Sequence, residues 1–282
     1  AVAAFSLSPD GAMEFLGRQE NPGRSGCHLT ALPDDGRIFT VSYTDGRLTG
    51  YGLDDGDVGP VNYTFTYSGS GPNAQRQEAP HAHQVLKSPY GNVIYVCDLG
   101  SDAVWMHRLD AMEEATVRAL DIPAGCGPRH LAFDPLSPVA YVLCELIPKL
   151  FVVSINASTG GMRITQEYDT VPDDRAGKAA PAAVKLHPSG RSVAVSNRFD
   201  DTVTVYRIRR DKEVILEEAA NFDCRGKAPR DITFTPDGTA LFMANQNSHS
   251  VTCRRFDPAT GLPKDEWAPS FETGAPVCVV ML

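Results

Sequence analysis

The chain has no basic run, no membrane-length apolar stretch, no paired-cysteine motif and no sustained helical periodicity. Each absence removes a class of function. The densest basic stretch is Arg207-Ile208-Arg209-Arg210, and Asp211 follows at once in a chain of net charge −9. That balance excludes a nucleic-acid partner, whose phosphates demand a basic face. No apolar run approaches membrane-spanning length, so no spanning helix and no membrane partner are expected. No signal peptide opens the sequence, but it begins at Ala1 without Met, so residues upstream are expected. The seven cysteines are odd in number and contain no C-x-x-C pair. This points away from a disulfide framework and toward a reducing, cytoplasmic setting. Cys97, Cys144 and Cys278 sit in apolar runs and read as small buried hydrophobes. Asn62 and Asn156 match the glycosylation pattern, which is common by chance. No P-loop, G-x-S-x-G motif or Ser/His/Asp order is visible, so neither a nucleotide cofactor nor acyl-enzyme chemistry is implied.

What is present is a repeat. A small residue or proline, an apolar run, a Pro-Asp-Gly-like turn and a second apolar run ending in polar residues recur from Gly26, His81, Pro128, Pro181 and Pro229. A shortened copy begins at Ala275. The complete copies lie roughly 47 to 55 residues apart, the period of a propeller blade. The third copy reads as strands over 130–133, 139–144, 150–155 and 162–168. Its turns are rich in Asp, Gly, Ser and Pro, which predicts an all-β chain. Short helical turns are conceivable only near 110–116 or 212–219. The reading is therefore an all-β, single-domain β-propeller over residues 1–282. It has five complete blades and a composite one, in which residues 276–282 supply an inner strand and residues 2–16 the outer strands.

In a propeller the first strand of each blade lines the central channel, and adjacent strands run antiparallel. The start of a first strand then lies beside the end of the second. His81, His83, Arg129 and Arg230 stand at strand starts; Asp98, Glu145, Asn197, Arg198 and Asn245 stand at second-strand ends. Tyr43, Asp98, Glu145, Asn197 and Asn245 share one register. Capping of loop backbone explains most of that set, but it suits Glu145 poorly because Glu is not a turn former. His81 and His83 lie on one strand face. They suit a metal, a structural pair or a general acid/base, the last because imidazole titrates near neutrality. The metal reading is weakened because His28 and His130 align one residue out of phase with His83. Arg129 and Arg198 suit a carboxylate or phosphate, whereas Arg230 reads as a blade-stitching salt-bridge residue.

Beyond these patterns, the segment from Gly69 to Val85 (GSGPNAQRQEAPHAHQV), Asp98-Leu99-Gly100, Gly127-Pro-Arg-His130, Ser196-Asn-Arg198 and the Pro-Arg-Asp and Ala-Asn-Gln of the last repeat resemble the seven-bladed propeller lactonase family. That family includes propeller-type 6-phosphogluconolactonases and carboxy-cis,cis-muconate cyclases. The resemblance implies a metal-free, cofactor-free site of His81 or His83, Arg129, Glu145 and Arg198. Asp98, Asn197 and Gln246 join Arg129 and Arg198 as substrate-binding candidates. The family has seven blades, so roughly the first blade is expected to be missing from this sequence.

The leading expectation is hydrolysis of a sugar-acid lactone such as 6-phosphogluconolactone, an anionic small molecule. Ring closure of a muconate, with the arginines clamping carboxylates, is the alternative within the family. A non-catalytic scaffold is the alternative outside it, and would show the His/Arg/Glu cluster tied up in salt bridges between blades.

Overall fold

A computed structural model describes residues 1–281 except Ala115; Ala115 and Leu282 lie outside the described residues. The chain divides into two compact units, Ala1–Gly127 and Pro128–Leu282.

The first unit begins with a two-stranded sheet, β1 (Val2–Leu7) and β2 (Met13–Gln19). Two four-stranded antiparallel sheets follow. One holds β3 (Gly26–Leu32), β4 (Arg37–Ser42), β5 (Arg47–Asp54) and β6 (Asp57–Thr66). The other holds β7 (Ala82–Lys87), β8 (Val93–Asp98), β9 (Ala103–Arg108) and β10 (Val117–Asp121). Phe39, Val41 and Leu48 from one sheet pack on Val85, Ile94 and Val96 from the next.

The second unit has three such sheets. The first contains β11 (Pro128–Phe133), β12 (Val139–Cys144), β13 (Lys149–Ile155) and β14 (Met162–Asp169). After a single helical turn, α1 (Asp173–Ala176), come β15 (Ala180–Leu186), β16 (Ser192–Arg198), β17 (Thr202–Arg210) and β18 (Val214–Asp223). The last sheet is β19 (Pro229–Phe234), β20 (Ala240–Asn245), β21 (Ser250–Asp257) and β22 (Leu262–Glu272). Within the unit, Tyr141, Leu143, Val193 and Tyr206 share one core and Val203, Ile232, Met243 and Phe256 another. Second strands such as Ser192–Arg198 are buried throughout, as a strand covered on both faces must be. The outer strand Met162–Asp169 alternates half-buried and exposed, the period-two pattern of a strand with one wet face.

Each of the five four-stranded sheets is therefore a blade, and the third repeat's strands fall where the sequence places them. The 212–219 segment enters strand β18 and is not helical. The other conceivable helix includes Ala115, outside the described residues. Residues 276–281 form no strand. The Val279 amide donates instead to Asp231 Oδ2 at 3.0 Å, so a side chain takes the hydrogen bond a ladder partner would need. Leu282, the end of that predicted strand, lies outside the described residues. Cys97 and Cys144 are buried as expected; Cys278 is exposed, because it lies on this unpaired terminal segment.

Carboxylates fasten the blade connections. Asp102 and Asp201 take positive φ (50° and 59°) in the hairpins before β9 and β17, a region Asp tolerates better than most residues. Asp102 accepts the Gly125 and Gly127 amides, each at 2.7 Å, and Asp201 accepts the Ala228 amide at 2.7 Å. The β11–β12 turn has Pro138 where the other repeats have glycine. Asp134 organises it by accepting the Leu136 and Ser137 amides and the Tyr141 and Arg210 side chains. Burial pushes the Asp134 carboxyl up, but Arg210 and Tyr141 outweigh it and the net shift is downward.

His107 lies in an aromatic nest of Tyr63, Phe65 and Tyr67, its Nε2 2.8 Å from the Tyr67 hydroxyl. Burial lowers its pKa from 6.5 to about 4. Between those values the unfolded chain binds a proton that the folded chain refuses. Stability therefore falls as pH drops through this window, by roughly 3 kcal/mol in full. Urea unfolding at pH 7.5 and 4.5 should show this slope, and His107→Gln should flatten it.

Candidate active site

One irregularity recurs in every complete blade. In each pairing of first and second strands the register slips once near the start: Gly26/His28, Ala82/Gln84, Pro128/His130, Pro181/Val184 and Pro229/Asp231. Each slip leaves one extra residue on the first strand, a β-bulge. The extra residues are Cys27, His83, Arg129 and Arg230, with Ala182-Ala183 sharing the fourth slip. A bulge breaks the alternation of the strand and re-aims a side chain, which is why bulges gather at active sites. The sequence carried the signal. Cys27, His83, Arg129, Ala182 and Arg230 each stand six residues before their turn proline, but alternation alone does not reveal a bulge.

In the second unit the bulge delivers Arg129 to Glu145, the residue just after β12. Arg129 Nε lies 2.9 Å from Glu145 Oε2. Arg198, the last residue of β16 in the next blade, brings its Nη2 to the same oxygen at 2.9 Å. All three side chains are buried. Arg129 Nη1 also donates to the Ala182 carbonyl and lies 3.1 Å from His130 Nε2. Arg198 Nε donates to the Ala180 carbonyl at 3.2 Å. Beside Arg198, Phe199 is exposed and takes φ 69°, with its ring 5.7 Å from the guanidinium. A bulky residue held in the left-handed region is the kind of strain that collects at functional sites.

In the first unit the two histidines differ. The His81 amide donates to Asp98 Oδ1 at 2.7 Å. Its imidazole stacks on Tyr43 at 4.4 Å, its Nδ1 lies 2.9 Å from the Tyr43 carbonyl, and its Nε2 lies 3.2 Å from Glu78. His83, on the bulge, meets the Tyr43 ring edge-on at 5.9 Å. Both imidazoles are buried.

The structure gives three polar strand ends structural partners. Asp98 accepts the His81, Gly100 and Ser101 amides, the Ser101 hydroxyl and the Trp105 indole. Asn197 donates to the Thr170 carbonyl and to the Thr202 and Thr204 hydroxyls. Asn245 donates to Thr252. Their burial and partners fit backbone capping, so Asp98 and Asn197 hold loops in place. Gln246 is half-buried and accepts from Arg230 Nη1 at 3.4 Å. Arg230 therefore meets an amide and forms no ion pair among the described residues, contrary to the stitching role its sequence position suggested.

The description "Lactonase, 7-bladed beta-propeller" fits residues 1–281. The chain belongs to the seven-bladed β-propeller lactonase family. The 6-phosphogluconolactonase of Bacillus subtilis is 28% identical over 288 residues, spanning 100% of this chain and 80% of the relative. The 6-phosphogluconolactonase of Formosa agariphila is 26% identical over 270 residues, 92% of this chain and 75% of the relative. Among solved structures, the periplasmic gluconolactonase of Pseudomonas aeruginosa superposes with a TM-score of 0.86 at 26% identity, covering 96% of this chain and 77% of that one.

If Asp98 is a cap, Asp98→Ala should lower stability by roughly 3 kcal/mol or more, since it orphans several buried donors. Asn245→Ala, which frees one side-chain bond, should cost less. Denaturant midpoints of the two variants check the order.

Proposed function

We propose that this lactonase-family protein hydrolyses a sugar-acid lactone such as 6-phosphogluconolactone, with Arg129, Glu145 and Arg198 as its anion-handling centre. The observation that carries the reading is the charge of that buried cluster. Two guanidiniums share one carboxylate oxygen, so these three side chains together carry one net positive charge. A buried ion pair that served only to join blades would be costly to leave unbalanced. An anionic substrate, or the oxyanion formed during acyl transfer, supplies the missing negative charge.

The Arg198–Glu145 pair does connect neighbouring blades, and this is the feature a scaffold would also show. The net charge of these three side chains and the bulge that re-aims Arg129 favour the enzyme. On this reading water adds to the lactone carbonyl, the carbonyl oxygen becomes an oxyanion, and the ring C–O bond then breaks as the ring oxygen takes up a proton. The guanidiniums stabilise the oxyanion because they are fixed before it forms. Glu145 holds both forks in place and is the acid/base partner in the proton transfers. The water-activating histidine is His81 or His83, and its bulge position favours His83. The reading takes residues 1–282 as one propeller domain, with the seven free thiols fitting a cytoplasmic setting.

Arg129→Ala should lower kcat/KM for 6-phosphogluconolactone roughly 100-fold or more, and Arg129→Lys should recover only part because it lacks the fork. Turnover is measured above spontaneous hydrolysis, with thermal unfolding as the control for folding and carboxy-cis,cis-muconate as the competing substrate. Unchanged turnover in Arg129→Ala would refute the role.

The histidines are separable. His83→Ala should lower kcat roughly 100-fold, whereas His81→Ala, losing its contacts to Tyr43 and Glu78, should act mainly on stability. Paired kinetics and melting curves distinguish them.

A further inference from the structure

Arg230 repeats in β19 the position that Arg129 holds in β11: both are the extra residue of the bulge. Between those strands runs β15, which packs against both. Its residue at the same position is Ala182, whose carbonyl receives the Arg129 guanidinium. The Ala182 side chain is itself fully buried, so at this position β15 brings a methyl and no charge.

The two arginines differ in their compensation. Arg129 is buried and neutralised by Glu145. Arg230 is half-buried and makes a long 3.4 Å donation to Gln246 Oε1. The adjacent carboxylate, Asp231, is engaged elsewhere, with the Val279 amide at 3.0 Å and Lys185 at 3.9 Å. Arg230 therefore stands as a half-buried positive charge with no ion pair among the described residues. A phosphate monoester, which carries about −1.5 to −2 near neutral pH, is the anionic group of a sugar lactone that such a charge would attract.

We propose that Arg230, braced by Gln246, is the subsite that takes the phosphate of a phosphorylated sugar lactone, leaving Arg129 and Arg198 for the lactone carbonyl. This deepens and rests on the lactonase reading. Gln246 holds one edge of the guanidinium and leaves the other for bidentate contact with phosphate oxygens.

The test compares 6-phosphogluconolactone with unphosphorylated gluconolactone in the wild type, Arg230→Ala and Arg230→Lys. Arg230→Ala should lower the ratio of the two kcat/KM values roughly 10- to 100-fold, the loss of a charged hydrogen-bonded contact. Arg230→Lys should lie between. An unchanged ratio overturns the subsite. Calorimetric binding of 6-phosphogluconate against gluconate provides a second reading independent of turnover. The wild type should prefer the phosphorylated acid and Arg230→Ala should lose that preference. A wild type that binds both acids alike overturns the subsite even if it hydrolyses lactones. A wild type that prefers the phosphorylated acid but turns over neither lactone refutes only the lactonase reading.

Discussion

One extra residue near the start of each first strand sets what the site can be. A regular antiparallel ladder sends successive side chains to opposite faces, and every backbone group is spoken for. At the slip that alternation is broken, and the chain chooses there a thiol, an imidazole, a guanidinium or a methyl: Cys27, His83, Arg129, Ala182 and Arg230. The surrounding ladders stay the same from blade to blade. The ladders repeat, and the slipped residue is where side-chain chemistry changes from blade to blade.

The buried ionic cluster shows why polar groups in such a site need support. Arg129 makes contacts to Glu145, the Ala182 carbonyl and His130. Arg198 adds the Ala180 carbonyl. These partners offset the desolvation of the guanidiniums. Neighbouring polar residues do a different job. Asp98 spends both oxygens on backbone and on Ser101 and Trp105, and Asn197 spends its amide on threonines and a carbonyl. Position at a strand end is shared by both groups; only the number of local partners separates a loop clasp from a ligand group.

Much of the fold was legible in the sequence because blades are local. The third repeat's turns and apolar runs mark strands closely matching β11 to β14. Placing Arg129 beside Glu145 needed only antiparallel pairing within one blade. Arg198 followed from the same reasoning in the next. The terminal strand failed because seven apolar-looking residues say nothing about whether a ladder partner is present. The proposed preference for His83 over His81 rests on the register slip, which depends on backbone hydrogen bonding and not on residue type. The role of Arg230 was misread for a related reason. Arginine at a strand start looks the same whether a carboxylate waits opposite or, as here, the Gln246 amide does.

The position of Ala182 has an evolutionary implication. Because it occupies a slip already built into β15, a change of side chain there leaves the ladder hydrogen bonds on either side in place. Such a place lets selection vary side-chain chemistry one residue at a time, while the strand pairing that makes the protein fold is left alone.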